Sequence, residues 1–433
     1  MIARFQQRGA QVMSKWAGAV SFGLLEQLIL TGVNFTFTAA MGHWLGGISF
    51  GWLSIAWVLL QFLETSSMGL FGDGVPASVR RLPLSSRAAF RGTFLTISFV
   101  YSLAIFSTLV IAWPVAVRLK LPEAGLIPAT GLAFVGLRAQ NAARRLYYLD
   151  GLRKEAAAAA LVNAIATAAG VVALILVLRS RDPAVAMLIV GAANFAAALM
   201  LFVQHKALRL SRPTWQLARW TQARLWRTGR WLFASNAMSW LGNLGPVILI
   251  GALAGVSASG TLRVIMTLIV PPAQMVIVLM SIMIPRFAMQ PDQKLRNRHW
   301  SIALRAMSLI GLASGTYAVA LTSVGGWFPR LLFGEPAAGI TQATVAIAAF
   351  GYAVESIRYG CNVVFLARGE PKIIAVGQVF ALISAMVLIP SVAHLGFNAI
   401  IFAGTLSNNV NTLVVFIYFY FVFKRNKQIK DEL

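Results

Sequence analysis

Long apolar runs divide the sequence, and short polar or basic segments separate them. A helix that crosses a membrane needs roughly 20 mostly apolar residues, and twelve runs meet that requirement. The predicted spans are 20–41, 48–71, 93–117, 124–142, 156–178, 184–203, 231–253, 259–284, 301–328, 340–366, 372–393 and 397–423. The fourth is the weakest, because Arg138 and Gln140 interrupt it. The pattern predicts an all-α polytopic membrane protein with twelve transmembrane helices.

Basic residues alternate between the two sides of this predicted membrane. Twelve spans place both termini on one side, which collects 28 of the 37 Lys and Arg residues, whereas the opposite side collects 5. Cytoplasmic loops carry the excess of Lys and Arg, so we expect both termini in the cytoplasm. The longest basic segment, 204–230, mixes seven Lys and Arg with three Trp residues. It is interpreted equally well as a segment lying on the anionic inner leaflet or as an ordinary connector.

The amino-acid composition excludes several classes of protein and of binding site. The chain is 58% hydrophobic and 12% charged, with a mean hydropathy of +0.74, which excludes a soluble globular protein. The net charge of +24 would suggest nucleic acid in a soluble protein. Here the topology explains it, and we expect no nucleic-acid partner. Cys361 is the single cysteine, and the four histidines are scattered without ligand spacing, so we expect neither a disulfide nor a metal site.

A weak internal repeat relates the two halves of the chain. With an offset of 209 residues, Asn34 aligns with Asn243, Gly46 with Gly255, and Gly51 with Gly260, among other matches. Matches of Gly and Leu are common by chance in apolar sequence, which is the competing interpretation. An even number of spans per half gives both halves the same orientation. We therefore expect two six-helix bundles, related by a pseudo-two-fold axis along the membrane normal. The predicted boundaries are 1–203, a basic linker at 204–230, and 231–433.

Polar residues recur at helical spacing inside six of the predicted spans. The stripes are Gln27, Thr31, Asn34 and Thr38; Gln61 and Glu64; Asn236, Ser239 and Asn243; Arg263, Thr267 and Gln274; Tyr352, Glu355, Tyr359 and Asn362; and Thr405, Asn408 and Thr412. A polar residue within a span usually faces protein or a water-filled cavity. The stripes favour a shared central cavity, although for any single residue interhelical hydrogen bonding is the commoner reason.

Charged residues within the spans are the sharper candidates. Arg263 lies about 9 residues past a predicted turn, roughly 13 Å deep, near the middle of a ~30 Å hydrocarbon core. It is the best candidate for binding an anion, and a structural pairing is the alternative. Glu355 and Arg358 can pair on one helix face. Glu26 and Glu64 lie at equal depth and could meet, which makes them candidates for ion coupling or gating. The candidate substrate-binding residues are Arg263, Arg358, Glu355, Asn34, Asn243, Gln27, Thr267, Tyr359 and Asn408.

Enzyme motifs are missing from the sequence. The predicted outer loops are mostly short, and they contain no acidic pair, histidine cluster or phosphate-binding glycine loop. A membrane-embedded enzyme of polysaccharide assembly is therefore the least favoured interpretation, and we expect no catalytic residues. We also expect no cofactor.

The chain resembles the polysaccharide transporter flippases (O-antigen, Wzx-type) within the superfamily that also contains multidrug-and-toxin extruders and the lipid II flippase. The resemblance covers nearly the whole chain and rests on its length, on the twelve predicted spans and on soft local motifs. These motifs are Ser21, Phe22 and Gly23 leading to Asn34; Gly46, Gly47, Ile48, Ser49, Phe50 and Gly51; and Leu249 to Leu262 with Gly251, Gly255 and Gly260. Twelve spans depart from the fourteen expected of a lipid II flippase.

The resemblance implies an alternating-access carrier in the bacterial inner membrane. Its substrate would be an oligosaccharide repeat unit of O-antigen or exopolysaccharide, linked to undecaprenyl pyrophosphate. Protons, sodium ions or the membrane potential are the candidate driving forces. The expected partners are membrane lipids and a polysaccharide polymerase complex, and a monomer is expected. The alternative is a cation-coupled multidrug exporter, which should carry deep carboxylates. The carboxylates within the spans are Glu26, Glu64 and Glu355, and none lies in spans 7 or 8.

Overall fold

The apolar runs form long α-helices in the computed structural model, which describes residues 2–72, 75, 84–204, 215–288, 292–367 and 372–431. The helices are α1 (Ile2–Leu45), α2 (Gly47–Ser67), α3 (Leu84–Arg118), α4 (Leu126–Leu149), α5 (Arg153–Val172), α6 (Pro183–Gln204), α7 (Trp215–Asn243), α8 (Gly245–Ala254), α9 (Val256–Ala288), α10 (Asp292–Val324), α11 (Trp327–Phe333), α12 (Gln342–Ala367), α13 (Lys372–Val392) and α14 (Phe397–Asp431). Single π-helical turns follow α2 and α5, at Met68–Gly72 and Ala173–Leu178. The described residues contain no β-strand.

Each predicted span coincides with a helical segment. Among the described residues, 9 helices are long and apolar enough to cross a membrane. The other three predicted spans lie on α4, α9 and α12, which carry the arginines Arg138, Arg263 and Arg358. The prediction of an all-α polytopic membrane protein is confirmed.

The helices pack into two compact units. Unit 1 comprises Met1–Ala40 and Leu59–Asn236, and unit 2 comprises Met41–Val58 and Ala237–Leu433. The end of α1 and the start of α2, hereafter the first hairpin (residues 41–58), thus belong to unit 2 by their contacts. The remainder of both helices belongs to unit 1.

The basic segment before the seventh predicted span is largely helical. Residues 215–230 form the first part of α7, and residues 205–214 lie outside the described part of the chain. Leu225 is fully buried in the core of unit 1, in a cluster with Phe90, Phe94 and Leu146. Trp226 on the same helix is exposed. One face of this segment is therefore anchored in unit 1.

Glycines set the distance between α4 and α6 in unit 1. A Cβ atom on Gly136 would collide with the carbonyl oxygen of Gly191, and a Cβ on Gly191 would lie 2.9 Å from the Cα of Ala133. The two backbones touch here because neither glycine has a side chain. Backbone contact of this kind is typical of helix pairs in membranes, where close packing replaces the hydrophobic effect.

Substituting Gly136 with Ala should destabilise unit 1. The added methyl group meets backbone rather than a flexible side chain, so the helices must separate, and overpacking of this kind costs about 1–3 kcal/mol. Thermal unfolding of the purified protein in detergent measures the effect. Gly32→Ala in α1 is the matched control, because a Cβ atom at this position would have no neighbour within 4 Å. An equal loss in both variants would contradict the role assigned to the α4–α6 contact.

The first hairpin packs against the start of α9 in unit 2. Gly46 and Gly255 end α1 and α8 with φ angles of +74° and +93°, a region that favours glycine. A Cβ on Gly260 would lie 3.0 Å from Phe50 Cδ1 and 3.3 Å from the Gly51 nitrogen. Of the glycines aligned by the repeat, Gly46 and Gly255 thus occupy equivalent turns. Gly51 and Gly260 meet where α2 crosses α9.

Candidate functional site

Two of the predicted site residues form a buried ion pair on α12. Arg358 donates from Nη2 to Glu355 Oε1 at 3.0 Å, across one turn of the helix. Glu355 is 7% exposed and Arg358 is 1% exposed. The guanidinium also lies over the ring of Tyr359, 5.2 Å from its centroid. The Nε and Nη1 atoms of Arg358 are buried and have no hydrogen-bond partner among the residues that the structure describes. The pair is therefore internally neutral, with donor capacity remaining on the arginine.

Glu64 on α2 has a network of its own in unit 1. Its Oε1 accepts a hydrogen bond from Asn141 Nδ2 at 2.8 Å and lies 3.7 Å from Arg138 Nη1. Arg138 also donates from Nη2 to Ser98 Oγ at 3.2 Å. Ser67 Oγ donates to Oε2 of the carboxylate at 3.3 Å. The glutamate and the arginine are both buried.

Glu26 on α1 is paired with Arg144 of α4, the helix that also carries Arg138. Its Oε1 lies 3.2 Å from Arg144 Nε, and its Oε2 accepts a hydrogen bond from the Tyr148 hydroxyl. The carboxylate is buried, at 1% exposed. The guanidinium lies 5.9 Å from the centroid of the Tyr148 ring. The Glu26 cluster is thus separate from that of Glu64, although both draw their partners from α4.

These clusters differ from one expectation based on the sequence. The equal depth of Glu26 and Glu64 suggested that the two carboxylates could meet, but each is bound to different residues of α4. Arg138, which interrupts the fourth predicted span, is buried and paired with Glu64. The sequence does hold a signal for α4: its polar residues 138, 141, 145 and 148 recur at intervals of 3, 4 and 3, which places them on one face.

Removing the cation of the Glu64 cluster should destabilise the protein strongly. Arg138→Met leaves a buried carboxylate without its arginine, which costs about 3–5 kcal/mol. Adding Glu64→Leu should recover most of that loss, because well-packed apolar pairs replace buried ion pairs at little cost. Thermal unfolding in detergent separates the single from the double variant. If the double variant is no more stable than Arg138→Met alone, the pairing is not what stabilises this cluster.

Arg263 on α9 has a different environment from the other arginines. Its guanidinium carbon lies 4.8 Å from the centroid of the Trp57 ring on α2. The side chain is half-buried, and among the described residues no carboxylate lies within ion-pair distance of it. The Thr267 hydroxyl, one turn later, is turned to the Arg263 carbonyl oxygen at 2.8 Å. Arg263 is thus a membrane-depth cation without an anionic partner in this part of the chain.

A small cavity of about 70 Å³ lies within unit 2. Its walls are mostly apolar, and four residues give it polar groups: Tyr352, Glu355, Thr405 and Asn408. The Tyr352 hydroxyl is buried and has no hydrogen-bond partner within the described part of the chain. Leu262, Ile265 and Met266 of α9 complete one wall. The cavity thus combines an apolar wall with convergent hydroxyl, amide and carboxylate groups.

The remaining predicted site residues are spread more widely. Asn34 is exposed and Gln27 is half-buried, and both are in unit 1. Thr267 is buried and Tyr359 is half-buried, in unit 2. The side chain of Asn243 lies outside the described residues. Of the predicted site residues, Glu355 and Asn408 both line the cavity in unit 2. Arg358 is hydrogen-bonded to Glu355.

The described residues contain no cluster of His, Cys, Asp and Glu that could hold a metal ion. Cys361 is a buried free thiol that packs with Val364, Phe365 and Val415. It therefore belongs to the core of unit 2 rather than to the polar site.

Solved transporter structures share the fold over nearly their whole length. One is an inward-facing multidrug resistance MATE family transporter of the MOP superfamily, with 14% identity and a TM-score of 0.69 over 94% of this chain and 99% of the other. Another is the lipid II flippase MurJ in an inward closed conformation, with 11% identity and a TM-score of 0.67 over 95% and 91%. A third is a MOP superfamily transporter from Pyrococcus furiosus, described as having a binding pocket of reverse polarity, with 15% identity and a TM-score of 0.64 over 94% and 96%.

At these identities the similarity defines the fold, which is that of MOP superfamily transporters. No family model and no curated protein sequence matches the chain.

Proposed function

We propose that this protein is a flippase that moves an undecaprenyl-pyrophosphate-linked oligosaccharide across the bacterial inner membrane by alternating access. The fold supports a transporter, because its neighbours include a lipid II flippase and a multidrug resistance MATE family transporter in inward-facing and outward-facing conformations. The carried group would be a repeat unit of O-antigen or exopolysaccharide. A pyrophosphate-linked sugar needs a polar, cationic path through the membrane, while its lipid tail stays in the bilayer.

The charge balance within the spans carries the proposal. Each carboxylate within the spans is paired with an arginine. The pairs are Glu26 with Arg144, Glu64 with Arg138, and Glu355 with Arg358. Arg263 has no such partner among the described residues. Arg263 therefore adds a positive charge that no carboxylate within the spans offsets, at the depth predicted for the middle of its span. This balance favours an anionic substrate over a cationic one.

Polar groups of the unit 2 cavity suit the sugar. Tyr352, Thr405 and Asn408 offer hydroxyl and amide groups for sugar hydroxyls, and Glu355 offers an acceptor. Arg358 retains N–H donors on two nitrogen atoms, Nε and Nη1, for a second phosphate contact. In this scheme Arg263 and Arg358 bind phosphate oxygens, because planar guanidinium groups match their geometry.

A strain lacking the gene tests the proposal. The deletion should abolish the surface polysaccharide and cause lipid-linked repeat units to accumulate in the membrane, and a plasmid copy should restore both. Normal polysaccharide with no accumulated intermediate would overturn the assignment. Susceptibility of the same strain to cationic drugs tests the alternative function.

The alternative is a cation-coupled multidrug exporter. It is favoured by the similarity to multidrug MATE transporters and by the presence of buried carboxylates. In this structure, however, each of these carboxylates already has an arginine partner, which leaves no net negative charge for a cationic drug. Increased drug susceptibility of the deletion strain, with normal polysaccharide, would establish the exporter instead.

The other features of the proposal follow from this role. Both termini lie in the cytoplasm, the bundles comprise residues 1–203 and 231–433 with the linker 204–230 between them, and the protein works as a monomer near the polysaccharide polymerase. Transport is coupled to protons, sodium ions or the membrane potential. Glu26 and Glu64 are the coupling or gate candidates. Each is a buried carboxylate that could exchange its arginine partner for a proton or a sodium ion.

A further inference from the structure

Trp57 is an aromatic residue in contact with the unmatched cation, Arg263. The Arg263 guanidinium lies over its indole ring, 4.8 Å from the ring centroid, which is within the range of a cation–π interaction. Trp57 is 8% exposed. The two residues lie on different helices, α2 and α9, so their meeting depends on the tertiary packing of unit 2.

An aromatic ring and a carboxylate stabilise a buried arginine in different ways. A carboxylate neutralises the charge and occupies the N–H groups of the guanidinium, as Glu355 does with Arg358. An indole ring attracts the cation through its negative face and leaves both the charge and the N–H edge available. Tryptophan is the strongest ring for this interaction. A phosphate that approaches Arg263 therefore displaces no protein carboxylate.

The surrounding contacts fix the position of the ring and of the guanidinium. The carbonyl oxygen of Val58, the next residue, accepts a hydrogen bond from Trp240 Nε1 at 3.0 Å. The backbones of α2 and α9 touch at Gly51 and Gly260, about two turns before Trp57 and one turn before Arg263. In this conformation the crossing sets the distance between the helices, so the packing of α2 against α9 brings the ring and the guanidinium together.

We propose that Trp57 is a positioning residue: it holds the Arg263 guanidinium by its face and presents the N–H edge to the phosphate oxygens of the substrate. This inference rests on the proposed function, since it names the residue that prepares the anion site. It extends the site to a residue of α2, and it predicts that the aromatic character at position 57 determines how tightly a pyrophosphate group binds.

Binding of inorganic pyrophosphate to the purified protein in lipid nanodiscs tests the inference by calorimetry. Trp57→Leu, which keeps apolar bulk but has no ring, should weaken binding by about 2- to 30-fold, the range expected for loss of a cation–π contact. Trp57→Phe should keep most of the affinity. Trp52→Leu is the matched control on the same helix and should bind as the wild type does. In an Arg263→Gln background, Trp57→Leu should have no further effect.

The four outcomes are distinguishable. Weaker binding in Trp57→Leu, with Trp57→Phe and Trp52→Leu close to wild type, supports the proposal. Unchanged binding in Trp57→Leu overturns it. Equal losses in Trp57→Phe and Trp57→Leu also overturn it, because the residue then acts through packing and not through its ring. Failure of the wild-type protein to bind pyrophosphate removes the anion site itself, and with it both this inference and the substrate class of the proposed function.

Discussion

Replacement of Arg263 with Gln is expected to reduce flipping of the lipid-linked oligosaccharide by about 30-fold or more. Glutamine keeps polar bulk but removes the charge, and truncating one partner of a buried, charge-assisted contact costs at least about 2 kcal/mol. Arg263→Lys should retain part of the activity, since it keeps the charge and loses the planar fork. Restoration of surface polysaccharide in the deletion strain, together with the level of accumulated lipid-linked intermediate, measures the effect.

Arg305 provides the matched control for this experiment. It is also an arginine within a predicted span, but its side chain is exposed, so Arg305→Gln should complement as well as the wild type. Each variant must also reach the membrane at normal abundance, which immunoblotting of membrane fractions verifies. Full complementation by Arg263→Gln would remove this residue from the transport path.

A disulfide between the first hairpin and α9 is expected to stop transport completely. A Cβ atom on Gly47 would lie 3.9 Å from the Cβ of Ser257, within the usual 3.5–4.5 Å of a disulfide. Gly47→Cys with Ser257→Cys, in a Cys361→Ala background, should therefore cross-link under mild oxidation. In the proposed cycle the bundle 1–203, which includes the first hairpin, moves against the bundle that includes α9, so the cross-linked protein should be inactive and reduction should restore activity.

A second cysteine pair controls for the chemistry. A Cβ on Gly125 would lie 3.7 Å from the Cβ of Ala184, and both residues lie within the proposed bundle 1–203. Gly125→Cys with Ala184→Cys should cross-link equally well, yet leave transport largely intact. Gel mobility after proteolysis between the cysteines reports cross-linking independently of transport. Transport by fully cross-linked Gly47→Cys, Ser257→Cys protein would show that the first hairpin stays fixed to α9 throughout the cycle.

The sequence was sufficient to locate the helices, because twelve apolar runs of spanning length leave few other structures in a membrane. Turns were also predictable where glycine is required: Gly46 and Gly255, matched by the repeat, both have positive φ. Helix ends were less predictable. Several helices extend beyond their apolar runs into polar sequence, as α7 does at residues 215–230, since hydropathy reports contact with lipid rather than hydrogen bonding along the backbone.

The site was predictable only in part, because spacing along one helix reveals partners on that helix alone. The Glu355–Arg358 pair was found in this way, as both residues lie one turn apart on α12. The partners of Glu26 and Glu64 come from α4, some 74 to 122 residues away, and depend on how the helices cross. The contact between Trp57 and Arg263 likewise joins two helices that are distant in sequence, so no periodicity could predict it.

Reconstituted transport tests the central claim, an anionic substrate carried past Arg263, most directly. Purified protein in liposomes should flip a fluorescent polyprenyl-pyrophosphate oligosaccharide and fail to flip the same oligosaccharide on an uncharged lipid, and Arg263→Gln should be inactive toward both. Equal flipping of the charged and uncharged lipids, or transport of cationic drugs in place of either, would contradict the account.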